Sequence, residues 1–152
     1  MVHLADAVVT IDEPHIVIEH PQWAHRTTIT MICGAPGSGK TTLGRKLHRN
    51  ILDMDDFPPG EPRERMRRYG KLAWKAGRVN APHLAVIRCA ASNDERRHLE
   101  RLCQPHRTIV LLTPPDVCRQ RVIERNRNDI DGRDVAAQCQ AIDDWWATWS
   151  LQ

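Results

Sequence analysis

The run Gly34-Ala35-Pro36-Gly37-Ser38-Gly39-Lys40-Thr41 constrains this chain more than any other stretch. It fits the pattern G-x-x-x-x-G-K-[ST], in which glycines let the backbone turn tightly around an anion, a lysine reaches the outer phosphates and a hydroxyl holds Mg²⁺. Ahead of it, Thr28, Ile29, Thr30, Met31, Ile32 and Cys33 form an apolar run rich in β-branched residues, and behind it Thr42, Leu43, Arg45, Lys46 and Leu47 read as a helix. Strand, loop and helix N-terminus together aim backbone N–H groups and the positive end of the helix dipole at one anion. The expected nucleotide-binding residues are therefore Gly34, Ala35, Pro36, Gly37, Ser38, Gly39, Lys40, Thr41 and Thr42, with ATP and Mg²⁺ as the expected cofactors.

The rest of the chain alternates strands with helices. Asn50 to Met54 reads as a second strand, broken by Asp55-Asp56-Phe57-Pro58-Pro59-Gly60, and a helix follows from Glu61 to Gly77. A third strand falls within His83 to Ala90. A helix capped by Ser92 or Asn93 comes next, then a fourth strand at Thr108 to Leu112. Pro114-Pro115-Asp116 starts a helix ending near Asn126, Asp129 to Asp134 is a polar turn, and a last helix carries Trp145, Trp146 and Trp149. This order predicts an α/β fold of three layers around a mainly parallel sheet, with binding at the carboxyl ends of the strands. Ala7 to Ile11 and His15 to Glu19, separated by Asp12-Glu13-Pro14, predict a hairpin or two edge strands. A length of 152 residues suits one domain over 1–152, of which 1–26 is an N-terminal strand extension.

Composition narrows the class without naming a partner. A net charge of +3 is too small to identify one, but Arg63, Arg65, Arg67, Arg68, Lys71, Lys75 and Arg78 gather in one segment opposed only by Glu64. The five cysteines show no C-x-x-C pair, which predicts reduced, mostly buried thiols, and Cys103 with His106 offers only two ligands for a metal. No segment approaches membrane-spanning length, and Met1 to Asp6 lack the basic start and apolar stretch of a secretion signal, so a soluble intracellular protein is expected.

The ends of the other strands supply the candidate chemistry. Asp53 and Asp55 lie two apart, so they share one face while the strand persists, close to the phosphate loop. A carboxylate there accepts a proton from an attacking hydroxyl or holds Mg²⁺ through water. For Asp56 the capping of the next helix is an equal alternative. Farther on stand Arg119, Arg121, Arg125, Arg127 and Arg133, with Arg121 and Arg125 on one helix face; arginines on a closing segment stabilise a moving phosphoryl group. The basic segment is interleaved with Tyr69 and Trp74, a mixture suited to phosphates and bases; the alternative is a solvated helix with Met66, Leu72, Ala73 and Trp74 packed inward. The three late tryptophans read as core packing.

The loop Gly34 to Thr42 followed by Asp55-Asp56-Phe57 resembles the phage polynucleotide kinase branch of the P-loop kinases. The resemblance runs from about Thr28 to Trp149 and implies a kinase that moves the γ-phosphate of ATP to a hydroxyl of nucleic acid, DNA above all. That hydroxyl is a 5′ end or the hydroxymethyl group of a modified base such as 5-hydroxymethyluracil. It implies Lys40, Asp55, Arg125 and Arg127 as catalytic residues, Asp55 being the base, and a lid over 116–134 in which Glu124-Arg125-Asn126-Arg127 carries the phosphate-contacting arginine. A cytoplasmic location, in a bacterial host or phage-infected cell, goes with it. Thr41 and Asp53 are the expected metal-holding residues, and Asp55, Arg67, Arg68, Lys71 and Arg88 the expected acceptor-binding ones. The chain departs from the pattern after the third strand, where Ile87-Arg88-Cys89-Ala90-Ala91-Ser92 has no acid. Asp53 in that duty is similar to small-metabolite kinases of the shikimate type, so a nucleotide or metabolite acceptor stays open, as does an ATP-driven binding or ATPase module. A fifth core strand is also absent, which leaves the N-terminal strands to cover that edge.

Overall fold

The computed structural model describes residues 2–4, 7–12, 15–26, 29–53, 61–76, 78, 83–127 and 134–150, the side chains of 2–12, 24–26 and 127 excepted. In chain order the strands are β1 (Val2–Leu4), β2 (Ala7–Asp12), β3 (His15–Glu19), β4 (Ile29–Gly34), β5 (Asn50–Asp53), β6 (Leu84–Arg88) and β7 (Arg107–Leu111). The helices are α1 (Lys40–Leu47), α2 (Pro62–Ala76), α3 (Asn93–Cys103), α4 (Pro115–Arg127) and α5 (Val135–Thr148), with a 3₁₀ turn at Pro21–Arg26.

All seven strands form one sheet in the order β1-β2-β3-β7-β4-β6-β5. Strands β7, β4, β6 and β5 are mutually parallel, and their apolar runs, such as Ile29 to Cys33, are buried throughout. A parallel strand must be covered on both faces, which is why these runs are continuous rather than alternating. One face packs under α2, α3, α4 and α5 through Met31, Cys33, Val86, Val110, Tyr69, Leu99, Val122 and Trp145. The other face, with Ile32, Ala85, Ile87, Ile109 and Leu111, meets Leu43 of α1. Gly44 makes that approach possible, because a Cβ there would lie 3.1 Å from Ile87 Cδ1 and 3.3 Å from Ala85 Cβ.

The N-terminal segment is the hairpin expected, extended by β1, which the short run Val2–Leu4 did not announce. Strand β3 runs antiparallel along β7 and covers that edge of the parallel strands, as expected of the N-terminal segment. Its alternation sends Ile16 and Ile18 into the core. A buried network anchors its end: Glu100 Oε2 lies 2.6 Å from both His20 Nε2 and the Thr108 hydroxyl.

Boundaries moved slightly. Helix α1 starts at Lys40, inside the phosphate loop, and α5 ends at Thr148, so Trp149 is its C-cap. Ser92 caps α3 by accepting from Glu95 N–H. Met54, Asp55, Asp56 and Gly77 lie outside the described residues.

Candidate functional site

The phosphate loop sits where β4 ends, at the centre of the parallel strands. Gly37 and Gly39 have φ of +77° and +97°, a left-handed geometry that turns successive N–H groups toward one point. At Gly37 a Cβ would strike the Cys118 carbonyl oxygen at 2.5 Å, so the loop is also packed against the start of α4. Thr113 reinforces this from below, its hydroxyl donating to Ser38 O at 2.9 Å. Lys40 Nζ donates to Gly34 O at 3.0 Å and Ala35 O at 2.9 Å, which keeps its charge at the mouth of the loop. A loop with glycines at its two left-handed positions and a lysine held across it fits the phosphates of a nucleotide.

Thr41 Oγ1 donates to Asp53 Oδ2 at 3.0 Å. Asp53 is buried at the end of β5, and the pair supplies the hydroxyl and carboxylate oxygens that a hard cation such as Mg²⁺ takes alongside water. Thr41 and Asp53, the expected metal-holding residues, thus lie within hydrogen-bond distance of each other. Both line a cavity of about 920 Å³ that continues from the loop. Among the described residues, Lys40, Lys46, Arg88, Arg121 and Arg125 stand around it against only Asp53 and Glu124, an excess of positive charge that favours a polyanion.

The arginines of α4 take separate places. Arg121 Nη1 contacts the loop itself, donating to Gly37 O at 3.2 Å, whereas Arg125 lines the cavity one turn farther along α4. Arg127 has its backbone in α4 and its side chain outside the described set, as are all of Arg133 and Asp55. Arg119 pairs with Asp116 at 3.0 Å and with Asp143 of α5, tying the two helices together.

Arg88, at the end of β6, faces the cavity. Its guanidinium lies 5.8 Å from the centroid of the Tyr69 ring and 3.1 Å from Met66 Sδ. The strand end that presents it is held firmly: Cys89 O accepts from Gly34 N–H at 3.2 Å and from the Trp145 indole at 2.8 Å. The next two carbonyls are gripped by Arg96, which is 1% exposed and donates to Ala90 O at 3.3 Å, to Ala91 O at 2.6 Å and to Ser150 O. These contacts fix Ala90 at a φ of 40°, unusual for a side chain other than glycine.

Helix α2 needs correction. Tyr69 is buried and donates to Ile87 O at 2.7 Å, so it belongs to the core and presents no ring to a base. Of the four residues weighed as inward packing, only Ala73 is buried; Met66, Leu72 and Trp74 are exposed because Tyr69, Ala73 and Ala76 occupy the inner stripe. Arg67 pairs with Glu64 at 2.8 Å, and Arg67, Arg68 and Lys71 sit on the exposed surface rather than in the cavity wall. The tryptophans pack as expected, Trp145 and Trp149 stacking at 5.6 Å.

A family model described as an AAA domain matches residues 29–148. The chain belongs to this AAA-domain family. The family is P-loop and kinase-like, which agrees with the phosphate loop at the sheet centre and makes the chain a P-loop nucleotide-binding protein. The match begins at the first residue of β4, so β1 to β3 lie outside it in this AAA-domain protein. No curated protein sequence matches the chain significantly. Among the described residues no cluster of three metal-ligating side chains forms, so Cys103 and His106 gain no further ligand, and no helix is long and apolar enough to cross a membrane.

Among the cavity residues that sequence reasoning did not single out are two with unpaired nitrogens. His15 of β3 and Gln138 of α5 line it, and His15 Nδ1 and Gln138 Nε2 are both buried without a hydrogen-bond partner. Only the pairing of β3 with β7 brings His15 there, and nothing local in the sequence signals that pairing.

Proposed function

We propose that this AAA-domain protein is an ATP-dependent kinase that transfers the γ-phosphoryl group to a hydroxyl of a nucleic acid, either a 5′ end or a hydroxymethyl group on a modified base. The observation that carries the reading is the Thr41–Asp53 pair, set in one cavity with Lys40, Arg88, Arg121 and Arg125. Such a set can neutralise a moving phosphoryl group from several sides, and positioning with charge stabilisation is nearly all that phosphoryl transfer asks of a protein. Bound MgATP would supply the electrophilic phosphoryl group. The loop amides and Lys40 would hold its outer phosphates, and Thr41 with Asp53 would hold the cation. Arg121 orients the loop through Gly37 O and, with Arg125, stands on the lid side. Asp55, two residues beyond Asp53, is proposed to take the proton of the acceptor hydroxyl.

Arg88 argues for transfer over hydrolysis. A motor needs an acid after this strand to activate water, and here a cation occupies the strand end. A cation there suits an acceptor that carries negative charge. The exposed basic face of α2 beside it favours a polymer. Against the polymer stands the placement of Arg67, Arg68 and Lys71 outside the cavity wall, which favours a second reading, a small phosphorylated acceptor.

The test is transfer of label from γ-labelled ATP to oligonucleotides with free 5′-hydroxyls, DNA with and without hydroxymethylated bases, mononucleotides and sugars. Label in an oligonucleotide is the expected result; a mononucleotide preferred over every polymer selects the second reading. Asp55→Asn is expected to retain ATP binding and lose transfer, and unchanged turnover removes Asp55 as the base.

A further inference from the structure

We infer that the N-terminal extension reads the nucleoside end of the bound nucleotide, through His15 of β3. This inference rests on the nucleotide site proposed above.

The cavity has two sides about the phosphate loop. On one, toward β5 and β6, lie Asp53 and Arg88, the cation and acceptor chemistry. On the other, toward β7 and β3, the wall is made by Leu43, Leu111, Thr113 and His15. A nucleotide gripped by the loop has one end at the transferring phosphate, which must face the acceptor, so its nucleoside points the other way. That direction ends at His15.

Sheet register sets the distance. Leu111 pairs with Gly34 on one side and with His15 on the other, so His15 is two strand spacings from the start of the loop, roughly 10 Å. An extended nucleotide separates its base from its outer phosphates by a comparable length. Strand alternation sets the face. Ile16 and Ile18 enter the core beneath the four-helix layer, while Val17, like Leu43, packs against the cluster that holds Ile109 and Leu111 on the α1 side, and His15 shares the parity of Val17. The loop leads into α1 on that same side, past Thr42 and Leu43.

The chemistry matches a base or ribose: Leu43 and Leu111 supply apolar wall, and the His15 side chain stands in the same wall. His15 Nδ1 is buried and has no hydrogen-bond partner. Buried polar nitrogens are nearly always paired, so one at the wall of a cavity marks where a ligand group would complete it. Gln138 of α5 lines the same cavity with an unpartnered nitrogen of its own, but it is His15 that shares the wall with Leu43 and Leu111 on the α1 side. Because β3 lies outside the residues matched by the family model, the nucleoside wall is an addition of this chain to the AAA-domain core.

The experiment compares two ligands that share phosphates and differ in the nucleoside: ATP and inorganic tripolyphosphate, each titrated calorimetrically with Mg²⁺. His15→Ala is expected to weaken ATP about 5- to 10-fold, the worth of one hydrogen bond, and to leave tripolyphosphate within about 2-fold. His15→Asn, which keeps an amide near the Nδ1 position, is expected to restore most of the ATP affinity. Retained tripolyphosphate binding also certifies that the variant is folded. Equal weakening of both ligands, or no change in either, overturns the role of His15. Lys40→Ala separates the two layers of inference: loss of both ligands upholds the loop as the phosphate site whatever His15 does, and unchanged binding of both removes the nucleotide reading itself.

Discussion

Three glycines in this chain meet a Cβ in three different ways, and one substitution, Gly→Ala, should therefore give three different outcomes. At Gly37 the backbone is left-handed with φ +77°, which costs an alanine about 1–2 kcal/mol, and the new Cβ would sit 2.5 Å from the Cys118 carbonyl oxygen. That oxygen belongs to the backbone of α4's first turns and cannot rotate away, so relief requires moving the helix or the loop, an overpacking cost of about 1–3 kcal/mol. The sum is a loss of about 3 kcal/mol. At Gly44, φ is ordinary, but the Cβ would press on Ile87 Cδ1 at 3.1 Å and Ala85 Cβ at 3.3 Å. One of these is a flexible side-chain end, so the loss should be smaller, about 1–2 kcal/mol. Gly70 lies inside α2 with nothing within 4 Å of its would-be Cβ, and alanine there should stabilise by about 0.5–1 kcal/mol through helix propensity. Urea unfolding of the three variants measures the series, and in thermal melts each kcal/mol should move Tm by about 2–4 °C. Gly37→Ala within about 0.5 kcal/mol of wild type, or Gly70→Ala less stable than wild type, would refute the reasoning.

Two further outcomes follow from the same geometry. His48 is buried with Nε2 2.7 Å from the Thr30 hydroxyl, and burial, followed by the positive neighbours His83, His106 and Arg107, lowers its pKa from 6.5 to about 4. The unfolded chain therefore binds the proton first, so stability should be constant above pH 6.5 and fall as pH drops from 6.5 toward 4. Full burial would make this roughly 3 kcal/mol, and with exposed His83 stacked on the ring about half is expected; urea midpoints of His48→Gln should lack that part of the pH dependence, and an identical profile would contradict it. Arg88→Ala should raise the acceptor KM about 10- to 100-fold, the range for a charged hydrogen bond, with ATP affinity unchanged in a binding titration. A loss of ATP affinity instead would place Arg88 on the nucleotide.

The parallel core was legible because its signals are local. Apolar runs at Ile29 to Cys33 and Thr108 to Leu111, too short for helices and followed by glycine or proline, read as strands buried on both faces. The phosphate loop and the Thr41–Asp53 neighbourhood were legible for a similar reason, since a loop pattern and a strand end in this fold meet at one place. What depended on long-range pairing was not. His15 reaches the cavity only because β3 adds antiparallel to β7, and Tyr69 looked like a surface ring until α2 turned it onto Ile87 O. Arg121 and Arg125 share a helix face, so sequence spacing alone did not separate the one that touches Gly37 O from the one a turn beyond. Arg88 was legible as a candidate acceptor-binding residue, but its place beside the Tyr69 ring was not, because that ring comes from α2.

The central claim is transfer, and it is tested most directly by following the γ-phosphate of labelled ATP in the presence of a DNA oligonucleotide and Mg²⁺, with products separated into phosphorylated DNA and free phosphate. The geometry around Thr41, Asp53, Arg88 and Arg121 predicts that label accumulates in the oligonucleotide and that Lys40→Ala abolishes it. Label released only as inorganic phosphate, with every hydroxyl acceptor left unmodified, would contradict the account.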